Sequence, residues 1–187
     1  VKQQVQQLLA VSQLIYGSLD SVELIDADAT KGAFLSPLLL CNTSPLATAA
    51  VHEIEAFGPV STLMPYNGMD EAIVLSKMGK GSLCSSIVTA NDKLASDYVL
   101  GAASHHGRIL VLNRHCAKES TGHGSPLPLL VHGGPGRAGG GEEMGGIRGV
   151  KHYLQRTAVQ GSPTTLTEIT QVYQPYAQGK DPGVHPF

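Results

Sequence analysis

A glycine-rich segment late in the chain is the first stretch whose residue types and spacing could do chemistry. The segment VHGGPGRAGGGEEMGG, residues 131–146, contains GPGRAG, a G-x-G-x-x-G pattern formed by Gly134, Gly136 and Gly139. In a dinucleotide-binding turn such glycines lie between a strand and a helix, and an acidic residue ~20 positions further on holds the ribose. Here that position falls near VQGSPTT, which has no Asp or Glu, and PLPLLVH ahead of the glycines carries two prolines that oppose a central strand. The sequence therefore favours a tight loop whose backbone packs closely on a neighbour. HEIE, residues 52–55, lacks the second histidine that a zinc-protease helix requires. His115, Cys116, His123 and His132 share one loop, but their spacing matches no common zinc pattern, so no metal is expected. Cys41, Cys84 and Cys116 are far apart and odd in number, which fits free thiols in a reducing cytoplasm rather than a disulfide framework.

These residues need elements to hold them. The first 17 residues, VKQQVQQLLAVSQLIYG, place Val1, Val5, Leu8, Leu9 and Ser12 at helical spacing, with Gly17 as the stop. VELID and AFLSPLLLC read as short strands or extended segments, and another strand starts near Val60. MDEAIVLSKMGKG reads as a helix, SLCSSIVTA as a strand, and NDKLASDYVLGAASHHG as a helix capped by Asn91 and stopped by Gly107. RILVLN reads as a buried strand, residues 114–141 as a long irregular loop and EEMGGIRGVKHYLQR as a glycine-weakened helix. TAVQ gives a short strand and SPTTLTEITQVYQPY a last helix with Pro163 in its first turn. Strands alternating with helices predict an α/β fold of three αβα layers around a mostly parallel sheet. The uncharged strands SLCSSIVTA and RILVLN fit a sheet buried on both faces.

Bulk composition agrees. A chain of 187 residues, 42% hydrophobic, with formal net charge −2, is enough for one domain with its own core. It has no basic run for nucleic acid and no apolar run long enough for a membrane span. It opens on Val1, inside the first helical pattern and without a signal peptide, which suggests a piece of something longer.

EAFGPV, residues 55–60, resembles the E-I-F-G-P-V motif of the aldehyde dehydrogenase superfamily. FLSPLLL resembles the extended segment that this family places ahead of the motif. The segments after the motif run in the family's order: VSTLMP, the D-E-A-I helix, SSIVTAND, a helix to Gly107, RILVLN, a glycine-rich loop and KHYLQRTAV. The likeness spans about residues 1–162. It implies an aldehyde-dehydrogenase catalytic-domain-like fold, with residues 1–155 as its C-terminal portion, 156–162 as an oligomerisation strand and 163–187 as a C-terminal helix and linker. The glycine-rich segment then occupies the place of the family's loop to the last helix, not a phosphate loop. The stretch STGHGSPLPLLVHGGPGRAGGGEEMGG looks like the bifunctional ring-opening enzymes of phenylacetic acid degradation, and the terminal HPF resembles a linker to their MaoC-type hydratase domain. On that likeness the parent oxidises a CoA-linked semialdehyde, formed by hydrolysis of the oxepin-CoA ring, with NADP as acceptor. The semialdehyde dehydrogenases of aerobic benzoyl-CoA breakdown are the next closest likeness, and NAD is the other possible acceptor.

The resemblance also implies roles. Glu55 would accept hydrogen bonds from the nicotinamide ribose hydroxyls, and Phe57 would lie against the nicotinamide. Gly58 and Pro59 would fix the turn, and Ala56 replaces the usual bulky Ile. Residues 113–125 would line the substrate entrance. The TAVQ strand would pair with another subunit, giving a homodimer or higher oligomer. The family's nucleophilic Cys, general-base Glu and oxyanion-binding Asn lie upstream of everything present, so the chain alone should be inactive. Cys116 is the best local candidate for a nucleophile by its loop position, although no matching motif surrounds it. The competing reading is a stand-alone, non-catalytic binding or dimerisation module derived from this domain.

Overall fold

The computed structural model describes residues 1–120, 134–138, 150, 151 and 153–179. These form two compact units, Val1–Asn67 and Gly68–Phe187.

In the first unit, α1 (Lys2–Leu9) buries Val5 and Leu8, one turn apart on the same face. Three strands follow: β1 (Gln13–Tyr16), β2 (Leu38–Cys41) and β3 (Val60–Leu63). β1 pairs antiparallel with β2, and β2 pairs in parallel with β3. Leu38 and Leu40 point to one side of β2 and are its buried residues. A short helix, α2 (Ala50–Glu53), precedes β3.

Two expectations change here. The helical pattern of residues 1–16 breaks after Leu9, and Gln13–Tyr16 becomes a strand. Leu14, Ile15 and Tyr16 favour the extended chain, and β2 offers them a ladder. Gly17 therefore ends a strand, not a helix. Its φ is +91°, and a Cβ there would lie 2.1 Å from the Pro37 carbonyl oxygen. VELID forms no strand. Asp26 sits at φ 54°, and the Asp28 carboxylate accepts from the Thr30 amide at 2.9 Å and its hydroxyl at 2.7 Å. That local turn chemistry wins over the apolar run.

The second unit is a β/α alternation. α3 (Gly68–Lys77) leads to β4 (Ser82–Val88), and α4 (Asp92–Ala102) leads to β5 (His106–Leu112). β6 (Ala158–Gln160) and α5 (Pro163–Thr170) complete it. The sheet order is β4-β5-β6, all parallel, so the mixed α/β fold with a parallel sheet is present. Asn91 caps α4 as the sequence predicts, its side chain accepting from the Leu94 amide at 3.1 Å. Ser162 caps α5, with Pro163 in the first turn. Ile109 and Val111 of β5 are fully buried against Ala95, Tyr98, Val99 and Ala102 of α4 and Ile169 of α5.

Gly107 does not stop the helix. α4 ends at Ala102, a single 3₁₀ turn covers Ala103–His105, and Gly107 is inside β5. β5 is buried as expected, but β4, which ends the sheet among the described residues, leaves Leu83 52% and Val88 78% exposed. β6 ends it on the other side, paired with β5 in this chain through Arg108↔Ala158 to Leu110↔Gln160. PLPLLVH, nearly all of EEMGGIRGV and most of the C-terminal linker lie outside the described residues.

Candidate functional site

The glycine pattern can be judged by what it touches. Gly134 and Gly136 both have positive φ, and a Cβ on Gly136 would lie 1.9 Å from the Lys80 carbonyl oxygen. A Cβ on Gly81, at φ +124°, would lie 2.2 Å from the Pro135 carbonyl oxygen. The Arg137 amide donates to the Lys80 carbonyl at 3.1 Å. Two backbones are pressed together here, and Pro135 between them is fully buried. The loop uses glycine to dock on the turn before β4, as close backbone packing requires. Gly139 lies outside the described residues.

EAFGPV links α2 to β3 in the first unit. Exposure alternates along it: Glu55 and Phe57 are exposed, while Ile54 and Ala56 are half-buried. The Gly58 amide donates to the Ala56 carbonyl at 2.7 Å, closing a three-residue turn with Phe57 at its apex. The Val60 amide closes a second such turn on the Gly58 carbonyl at 2.7 Å, with Pro59 at its apex. This geometry pushes the Phe57 ring outward, 85% exposed, beside an open cavity of about 720 Å³. Val1, Val22, Phe34 and Leu35 also line that cavity. A large apolar ring left uncovered at a turn apex is available to stack on a flat partner. The carboxylate two residues earlier only accepts hydrogen bonds, which suits vicinal hydroxyls.

The family model for "Aldehyde dehydrogenase family" matches residues 2–159. The chain belongs to the aldehyde dehydrogenase family. Over 179 residues it is 55% identical to "Protein MaoC" of Klebsiella aerogenes, covering 95% of this chain and 53% of that protein. It is 37% identical over 123 residues to the 3,4-dehydroadipyl-CoA semialdehyde dehydrogenase of Aromatoleum evansii, covering 66% of this chain and 24% of that enzyme. Aldehyde dehydrogenase LUC3 of a Fusarium species is 30% identical over 73% of this chain and 26% of its own length. The chain thus spans about half, or about a quarter, of the relatives it matches.

The three cysteines are free thiols. Cys116 follows β5 and points its Sγ at the Val111 carbonyl, 3.4 Å away, and at Asn113 oxygens 3.7 and 3.8 Å away. These are acceptors for an S–H, not a base that takes its proton. Cys84 lies in β4, half-buried, with the Arg108 guanidinium 3.4 Å from its sulfur. Cys41 ends β2 and is half-buried too. His52 bonds the Pro45 carbonyl at 2.9 Å, a local structural contact. No group of three or more His, Cys, Asp or Glu able to hold a metal occurs among the described residues. No helix among them is long and apolar enough to cross a membrane.

Sequence reasoning missed a polar network at the carboxyl ends of β4, β5 and β6. Thr165, fully buried, donates its hydroxyl to Asp92 Oδ1 at 2.5 Å. The same hydroxyl oxygen accepts from Asn113 Nδ2 at 3.1 Å and lies 3.0 Å from Ser162 Oγ. Asn113 Oδ1 in turn accepts from the His115 amide at 2.9 Å. The Asn ending RILVLN was visible in sequence, but its partner 52 residues away was not.

Proposed function

We propose that this chain is the C-terminal portion, residues 1–155, of the catalytic domain of an NAD(P)-dependent aldehyde dehydrogenase. Residues 156–162 would serve as its oligomerisation strand, and 163–187 as a C-terminal helix and linker. The observation that carries the reading is the outward Phe57 ring, with the exposed Glu55 two residues earlier in the EAFGPV turn. Glu55 orients the ribose and Phe57 holds the nicotinamide plane. Together they would hold a dinucleotide that supplies the hydride acceptor. The nucleophilic Cys and the base come from chain outside these residues, and Cys116 is not the nucleophile. The substrate is an aldehyde, and a CoA-linked semialdehyde of phenylacetic acid degradation fits best. The 37% identity to a CoA-semialdehyde dehydrogenase supports a CoA-linked semialdehyde as the substrate class. NADP and NAD are both compatible with Glu55. The enzyme works in the cytoplasm as a homodimer or higher oligomer, with the 156–162 segment as its pairing strand.

The test is absorbance at 340 nm. The full-length protein that carries this sequence should reduce NADP or NAD with an aldehyde. The 187-residue chain alone should form no NAD(P)H. Turnover by the isolated chain would sink the assignment of the nucleophile elsewhere.

A further inference from the structure

An open cleft of about 230 Å³ lies beyond the ends of β5 and β6. Leu110 and Gln160, register partners in the two strands, both line it. One wall is the turn after β5, presenting His115, Cys116, Glu119 and Ser120; the other is the segment 160–163. The carboxyl ends of parallel strands are where open α/β sheets receive ligands. A single hydroxyl ties the two walls together. Thr165 is joined to Ser162 on one wall and, through Asn113, to the His115 amide on the other. Its proton goes to Asp92, which anchors the pair to the start of α4. A hydroxyl has one proton and two acceptor sites, so all three are used.

We infer that Thr165, with Asp92, is a positioning residue that fixes the turn of residues 113–120 and thereby sets the cleft width for an aldehyde with a large polar tail. The inference rests on the reading, implied by the resemblance to the aldehyde dehydrogenase family, that this turn lines the substrate entrance. Thr165 touches no substrate; it acts through Asn113. Losing its hydroxyl strands the Asp92 carboxylate and the Asn113 amide and lets the walls part. A short aldehyde has no tail to place and is indifferent to the change.

The experiment compares Thr165→Val and Thr165→Ser in the full-length protein, with propanal and 6-oxohexanoyl-CoA as substrates. The expected result for T165V is a KM about tenfold higher for 6-oxohexanoyl-CoA, with kcat kept and propanal kinetics unchanged. T165S, which keeps the hydroxyl, should restore the wild-type KM. Unchanged KM for 6-oxohexanoyl-CoA, or an equal loss with both substrates, overturns the positioning role. A wild-type protein that oxidises propanal but not 6-oxohexanoyl-CoA overturns the entrance reading and this inference with it. If T165V does not fold, Asp92→Ala should raise the same KM alone, and its failure to do so counts against the inference.

Discussion

At Phe57 the sequence motif and the local geometry agree on an unusual outcome: an aromatic side chain held out of any core. An exposed ring contributes little to stability, so Phe57→Ala should change the unfolding free energy by no more than about 0.5 kcal/mol in a urea titration. The same variant of the full-length protein should lose kcat with aldehyde, measured at 340 nm. Glu55→Gln replaces a charged acceptor by a neutral amide that also donates. Its KM for NAD(P) should rise on the order of tenfold while the melting temperature stays put. The turn itself was legible because EAFGPV is a local motif that closes within six residues. Thr165 was not legible. Within PTTLTEIT it reads as one more helix-surface threonine, and its value comes from Asp92 and Asn113, which lie 73 and 52 residues away in sequence.

At the scale of elements, β4, α4, β5, β6 and α5 could be read from alternation and caps, because each of their signals is local. Asn91→Ala should cost α4 about 1 kcal/mol by denaturant titration, the usual loss for an N-cap that accepts from the first turn. The errors came where two signals competed. Residues 13–16 fit both a helical and a strand pattern, and the tertiary partner β2 decided between them. Gly107 looked like a C-cap, but the helix had already ended at Ala102 and Gly107 lies inside β5. The loop around Gly136 illustrates the reverse case, in which a weak motif suggested a ligand and the backbone contact explains it. Gly136→Ala puts a methyl into the Lys80 carbonyl. It should lower stability by about 1–3 kcal/mol, read as a fall in melting temperature, without changing the affinity for NAD(P).

Over the whole molecule, acid should act through His106, buried at the start of β5 with the Tyr98 ring 6.5 Å away. Burial, and next the neighbouring His105, hold its pKa below the ordinary value, and the Ser76 backbone opposes them only weakly. The unfolded chain therefore takes up this proton first, at about pH 6.5, while the folded one still resists it. The His106 contribution is fully present above that pH and is lost as pH falls towards the lower folded value. Unfolding free energies measured between pH 8 and pH 5 should decline, and His106→Phe should flatten that decline. The knot of bonds at Thr165 carries a consequence for time as well as for place. It joins three stretches of chain that are remote in sequence, so it can close only after β4, β5 and β6 have found their register. Contacts made that late contribute little to the folding barrier and much to the escape barrier. Removing the hydroxyl should leave the refolding rate nearly unchanged and speed unfolding, so that the protein becomes shorter-lived before it becomes slower to form.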